Sequence, residues 1–459
     1  MRRLQALAAL AAVVLLVGGA ALADREIAPE PLGRVTATRV PTGAWYCPHG
    51  GGPQDWEVRL QIANPGSEPA TVRIRSMGDA KPDAPVTQTI EPGALVEIPV
   101  DAVGRERSSM VEWFDRWVAV GWVSHAGGEE GGVAAEPCSA SAAGRWLLPD
   151  ASTATEEQDD YVVVMNPTAR DAVVSFTLLS ERKEPVQKGE LTDVVLKPFH
   201  SMSVKLGQIV AGEDTVGTIV EAATGRVVAA TLGVTTTGGI RSVLGYAGDP
   251  PAEVVFPGGE DAGRTQLAVM STSVERVGLT GDVLGGEQAS EQAFAGVADA
   301  APPSRSARTF ATTTTEPSSV IFRAAASGVA AVRRTFGVVS DQGASIGGTP
   351  ASAWVILPAV AGAPSHPGIA ITNASDDAVE VTLSAVGATE GEIVVVVPPR
   401  ASALAPEGFM DAHPDDAFLA VSSDGTFVPA AASYSRGKDG FATFAVASGI
   451  PVPPAWVPS

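Results

Sequence analysis

Along most of the chain, apolar and polar residues alternate with a period of two. Val58, Leu60 and Ile62 alternate with Arg59 and Gln61, and after a turn Val72 and Ile74 alternate with Thr71, Arg73 and Arg75. The same rhythm returns as Val174, Phe176 and Leu178 against Ser175 and Thr177, and as Val379, Val381 and Leu383 against Glu380, Thr382 and Ser384. Successive side chains of a strand point to opposite faces, so this pattern predicts antiparallel strands with one buried and one wetted side. Helical periodicity is nearly absent after the N-terminus, apart from single turns such as Glu407 to Met410. The chain reads as all-β.

The alternating runs are organised by an internal repeat. A short aromatic or aliphatic run ending in Pro occurs as Trp45-Tyr46-Cys47-Pro48, Trp146-Leu147-Leu148-Pro149, Val254-Val255-Phe256-Pro257 and Trp354-Val355-Ile356-Leu357-Pro358, and a fifth time as Trp456-Val457-Pro458. Successive prolines are 101, 108, 101 and 100 residues apart. Each of the first four runs is followed by a turn-forming triplet: Asn64-Pro65-Gly66, Asn166-Pro167-Thr168, Ser271-Thr272-Ser273 and Asn373-Ala374-Ser375. A third marker, a proline turn, follows at Pro92, Pro198, Pro303 and Pro399. Turn residues at intervals of roughly ten residues leave room for seven or eight strands per unit, the size of an immunoglobulin-like β-sandwich. A propeller blade needs only about 40 to 50 residues.

The expected organisation is a signal peptide or membrane anchor (1–23), a linker (24–43), and four tandem immunoglobulin-like β-sandwich units at 44–145, 146–253, 254–353 and 354–459. Unit three is the degenerate one. It lacks the Asn turn and carries an Ala-, Ser-, Thr- and Pro-rich stretch from Gln288 to Ser319, as expected for a long loop or weak edge strands. The fifth Pro-terminated run is expected to close unit four, each run lying at a junction and pairing with the unit before it. Return of that run to unit one, closing a ring, is the alternative.

Charge and cysteines narrow the function. The balance of 31 basic and 52 acidic residues gives a net charge of −21. Nucleic-acid binding and docking on an anionic membrane surface both need clustered Lys and Arg, so both are excluded as expectations. Met1-Arg2-Arg3 precedes an apolar stretch, Leu4 to Ala23, that ends in Ala21-Leu22-Ala23, the form of an export leader, cleaved or kept as an anchor. Two cysteines in an exported chain predict one disulfide, Cys47 to Cys138, clamping unit one.

No catalytic constellation emerges. The histidines lack zinc-protease spacing. His49 and His125, the latter followed by Glu129 and Glu130, suggest a small polar or metal site at one pole of unit one, against the plainer reading of solvated loop residues. Gly343-Ala344-Ser345-Ile346-Gly347 has the nucleophile-elbow string but falls on a predicted loop rather than a strand-to-helix turn. The acidic run Glu156, Glu157, Asp159, Asp160 could hold Ca²⁺ only with further ligands, so no cofactor is expected. Asn373-Ala374-Ser375 is a formal glycosylation sequon read here as a turn. Trp113 and Trp117, assigned to one face by parity, are the candidate ring surface for a sugar or a protein.

The leader, the Trp-Tyr-Cys-Pro run, the later single Cys and the tandem β units together resemble an uncharacterised family of exported actinobacterial proteins of unknown function. An Ala- and Val-rich composition with only six lysines agrees with a high-GC bacterium. The resemblance implies an envelope location and assigns no site residues. The sequence therefore favours a non-catalytic extracytoplasmic scaffold or binding protein, taking a cell-wall glycan or an envelope protein mainly through unit one. The alternatives are a cell-wall polysaccharide hydrolase with an interdomain carboxylate pair and a structural spacer.

Overall fold

The alternating runs form the strands they predict. In Glu57–Ala63 the side chains of Val58, Leu60 and Ile62 are buried while Glu57 and Arg59 are exposed; in Val379–Ala385 the buried set is Val379, Val381, Leu383 and Ala385. The structure, a computed structural model, describes residues 42–236, 239–258, 264–285, 305–312, 318–336, 342–359, 365–388, 391–413, 416–436 and 442–456. The leader, the linker up to residue 41, and residues 286–304 and 313–317 of the Ala- and Thr-rich stretch lie outside the described residues. Among the described residues the α-helical content is the six-residue Glu407–Ala412, and no helix is long and apolar enough to cross a membrane.

Strand pairing stays inside four consecutive quarters of the chain. In the first quarter one sheet orders Gly43–Cys47, Ser108–Phe114, Ala70–Met77 and Val86–Ile90. The other orders Leu95–Val100, Glu57–Ala63, Ala119–Ala126 and Gly132–Pro137. Counted along the chain, these orders are one-six-three-four and five-two-seven-eight. Both recur in the second and fourth quarters, and in the third they recur without a described fourth strand. An immunoglobulin constant domain keeps its first two strands in one sheet. Here they fall in different sheets, so each quarter has the expected size and all-β character with a different connectivity.

The quarters close into a ring. In each quarter the closing strand of the second sheet, Gly132–Pro137, Ile240–Leu244, Gln342–Ser345 and Ala442–Ser448, forms the edge of that sheet, and in the second and fourth quarters the two-residue strands Tyr246–Ala247 and Ile450–Pro451 follow it in the other sheet. The closing strand packs against those of both neighbours: first on second, second on third, third on fourth, and fourth on first. Around the resulting axis lie Ala134 and Ala135, Arg241 and Ser242, Gly343 and Ala344, and Ala445 and Val446. Seven of these eight residues are small or medium in size, which lets four edges converge at interior packing density. Arg241 is the exception and turns toward two carboxylates.

The expected role of the fifth Pro-terminated run is corrected by this arrangement. Each opening run pairs with the end of its own quarter, not with the unit before it: Tyr46 with Ser139, Leu147 with Tyr246, Val255 with Gly348, Val355 with Ile450. Every quarter is thus complete in itself, and Trp456, the described residue of the fifth run, lies against the first quarter. There the Trp456 ring meets Trp113 edge-on, with centroids 6.3 Å apart. At the same joint Gly93 and Gly387, both at positive φ, approach so closely that a Cβ on Gly387 would lie 2.3 Å from the Gly93 carbonyl oxygen.

Strand pairing is divided by quarter, but burial is not. One apolar cluster runs from Leu60 and Val72 through Phe176 and Val220 to Val355 and Leu357. Another joins Leu147 and Ile219 of the second quarter to Leu267 and Phe322 of the third. Polar bonds cross the joints as well. Ser201 N–H donates to Gly78 O at 2.9 Å, Arg334 pairs with Asp150, and Arg400 bonds Asp282 at 3.0 Å.

The turn triplets act as internal locks. Buried Asn64 donates through Nδ2 to the carbonyls of Glu68 and Ile90 at 2.9 and 3.0 Å, and its Oδ1 accepts from Gly66 N–H. Asn166 bonds Arg170 and Leu196 in the same way, and Asn373 bonds Asp377 and Val397. Asn373 is fully buried, so the sequon is a turn. In the third quarter the equivalent position is Ser271, whose buried hydroxyl has no partner among the described residues.

Candidate functional site

The opening strands bring three indoles to equivalent positions near one end of the ring axis. Trp45, Trp146 and Trp354 are buried, and their N–H groups donate to Val118 O, Val227 O and Ala351 O at 2.8, 2.6 and 3.0 Å. The third quarter has Val254 there and supplies no indole. Beside these strands the chain leaves each closing strand, and four equivalent segments meet around a cavity of about 430 Å³. Its inner tier is Pro137, Leu244, Ile346 and Ser448, and its outer tier is the exposed Ala140, Ala247, Thr349 and Pro451. Between them lie Cys138, Gly245, Gly347 and Gly449. Gly347 is at φ +66°, where a Cβ would stand 2.7 Å from Val254 Cγ1. In the first quarter the same level is occupied by the predicted disulfide: Cys47 and Cys138 are bonded at 2.06 Å, 91 residues apart.

Charge is kept beside this cavity rather than in it. Among the described residues no charged side chain lines it. Glu136, one residue before Pro137, is buried at the joint of the first two quarters. Its Oε1 accepts from Leu244 N–H at 3.2 Å, and its Oε2 has no partner among the described residues. Burial pushes its pKa well above the usual carboxylate range, against the smaller opposing pull of the Leu244 N–H. Asp150 and Asp160 share Arg241 at 2.9 and 2.5 Å, and Asp150 also takes Arg334 of the third quarter. Burial disfavours the Asp150 charge, yet Arg241 and Arg334 outweigh it and hold its pKa below the ordinary value. For Asp160 burial prevails and the pKa rises.

The residues singled out from sequence are dispersed. Trp117 is buried, edge-on to Trp45 at 6.2 Å, and lines the axial cavity. Trp113 is half-buried and covered by Trp456. The shared face expected for the pair does not exist, because the strand Ser108–Phe114 ends in a turn with Asp115 at φ +63° and the chain crosses to the other sheet. The solvated-loop reading of His49 is likewise corrected. His49 is fully buried; its Nδ1–H donates to Gly50 O at 2.5 Å, and its Nε2 accepts from the Ser109 hydroxyl at 3.0 Å. A carbonyl can only accept, which sets this tautomer. Desolvation lowers its pKa to about 4.

His125 is half-buried on Ala119–Ala126, its pKa lowered by burial and by Arg59, and it shares no hydrogen-bond partner with His49. Glu130 of the neighbouring loop is taken up by Arg105 and Trp56 Nε1. Ser345 lies on a strand and is buried, not on a loop. Asp159 of the acidic run pairs with Lys205 at 2.7 Å, and Asp160 belongs to the Arg241 network. Among the described residues no cluster has the makings of a metal site.

Reading the sequence from unit one outward missed the axial cavity. Its one sequence signal was periodic: glycine at 245, 347 and 449 recurs just past each later closing strand, at the level where the first quarter has Cys138.

Residues 114–355 match a family of unknown function (DUF5719), more than half of the chain. The chain belongs to that family. Among solved structures it is similar to the crystal structure of Thermotoga maritima 1070, with 18% identity over 23% of this chain and 96% of that one, at a TM-score of 0.20. It is also similar to a tetra-tandem repeat in the extending region of a large adhesion protein, with 13% identity over 83% of this chain and 92% of that one, at a TM-score of 0.10. No curated protein matches the chain.

Proposed function

We propose that this member of the family is a non-catalytic binding protein of the bacterial cell envelope, exported by its leader, that receives an envelope component at the end of the ring axis. The observation that carries this reading is the axial cavity, to which all four quarters contribute equivalent segments. Its volume lies within the range of small-molecule sites. General acid–base or nucleophilic chemistry needs titratable or activated groups at the site; among the described lining residues the titratable side chain is Tyr246, whose hydroxyl is bound to Ala331 O and Ile346 O, which supports the non-catalytic reading over the hydrolase. The buried Asp150 and Asp160 are bridged by Arg241 rather than facing a cleft. Ring closure speaks against the spacer: Thr42 N–H donates to Trp113 O at 2.8 Å while Trp456 sits on the Trp113 ring, so both described ends meet at one residue and the repeat adds no reach.

The test is cosedimentation of the mature chain with isolated cell-envelope fragments, compared with Thr349→Trp and Ala140→Trp, which place an indole at the exposed outer tier. Loss of binding in variants with unchanged circular dichroism supports the reading. Equal binding by the blocked, folded variants refutes it.

A further inference from the structure

We infer that the axial cavity takes a neutral, largely apolar ligand carrying at most one or two uncharged hydrogen-bonding groups, such as a medium-length alcohol or acyl chain. This deepens the binding reading above and rests on it. Of the four indoles in the lining, Trp45, Trp146 and Trp354 present carbon only, because each N–H is already committed to a backbone carbonyl, and Trp117 adds a fourth ring. The Tyr246 hydroxyl is held at 2.7 Å from both Ala331 O and Ile346 O, so it too is committed. The inner tier adds Pro137, Leu244 and Ile346.

Polar capacity in the lining is correspondingly small. Ser139 Oγ donates to Ser141 O. Ser448 is the buried lining hydroxyl without a partner among the described residues. A carboxylate or ammonium entering this space would lose its hydration with no counter-charge among the described lining residues, and that penalty far exceeds what contact with carbon returns. A sugar would bring several hydroxyls to a lining that offers, beyond the committed Ser139 and Tyr246, the side-chain hydroxyls of Ser448 and the exposed Thr349, and each buried group left unmatched costs about 1–3 kcal/mol. An alkyl or acyl body gains from every methylene that leaves water, about 0.8 kcal/mol each. The chemistry of the walls therefore selects against charge first and against multiple hydroxyls second.

The test uses the full mature chain with three probes: 1-decanol, decanoate at pH 8, and cellobiose. Tryptophan emission and the melting temperature are followed on titration. Decanol is expected to shift the emission, raise the melting temperature and bind at least tenfold more tightly than decanoate, which has the same chain length with a charge, while cellobiose leaves both signals unchanged. Thr349→Trp and Ala247→Trp, each on the exposed outer tier, are expected to lose the decanol response while melting as the parent does. Decanoate binding as tightly as decanol, a cellobiose response, or decanol binding indifferent to both variants would overturn the assignment. Blocked variants that lose envelope binding, in a protein that never responds to decanol, would overturn the ligand class and leave the binding reading standing. A pocket-dependent decanol response with envelope binding unaffected by the block would do the reverse.

Discussion

The first and third quarters share a strand order but not a means of holding it. In the first, Cys47 and Cys138 bond the opening strand to the end of the closing strand; at the equivalent positions the third has Phe256 and Gly347. The first locks its turn with Asn64, which makes three hydrogen bonds, where the third has Ser271 with a hydroxyl that makes none among the described residues. The first buries His49 after the Pro of its opening run, where the third has Gly258. What the third quarter has instead are neighbours: Phe322 and Leu267 share a cluster with Leu147 and Ile219, and Arg334 reaches Asp150. A unit that lacks the disulfide and the Asn lock, and keeps ties such as Arg333 to Phe256 O and Pro257 O, can persist when a ring supplies its burial. In a linear array the same losses would fall on a unit supported only by nearest-neighbour interfaces.

That contrast can be broken by removing the locks in turn. The largest effect is expected from Cys47→Ser with Cys138→Ser. Opening a crosslink 91 residues long should cost about 4 kcal/mol by chain entropy, read as a fall in melting temperature that reduction of the parent reproduces.

The next is a pH effect carried by His49. Its folded pKa is lowered to about 4 from 6.5, chiefly by desolvation. The unfolded chain therefore binds the proton first, and the stability this neutral histidine contributes is present above pH 6.5 and lost as the pH falls from 6.5 toward 4. Urea unfolding should show a loss of about 2–3 kcal/mol between pH 7 and 4.5 that His49→Asn lacks. Equal pH slopes in the two proteins would show that His49 is not buried neutral.

The smallest effect sharpens the comparison itself. Asn64→Ala is expected to cost about 2 kcal/mol because two carbonyls and an N–H lose their partner, while Ser271→Ala should stay within about 0.5 kcal/mol. Similar costs at both sites, measured by chemical denaturation, would mean that the third quarter has a lock after all.

How much of this was legible beforehand differs by element. The strands were, because alternation writes burial directly into local order: Val58, Leu60 and Ile62 point inward as their spacing demands. The short helix at Glu407–Ala412 was also anticipated as a single turn. Trp113 and Trp117 were misread because parity holds only along an unbroken strand, and Asp115 at φ +63° breaks this one. His49 was misread because a Gly- and Pro-rich context looks like a solvated loop until a neighbouring strand covers it with Ser109.

What the residues determined by themselves is the repeat, its all-β character and the cysteine pairing, since a period of two, recurring turn triplets and a lone pair of thiols are local or countable. Whether four such units line up or close depends on the small rotation at each joint, and no stretch of sequence states that angle. It is decided where edge strands converge on small side chains such as Ala135, Gly343 and Ala445. The axial cavity exists because segments roughly a hundred residues apart are carried there together, so it belongs to the closed ring and to no quarter alone.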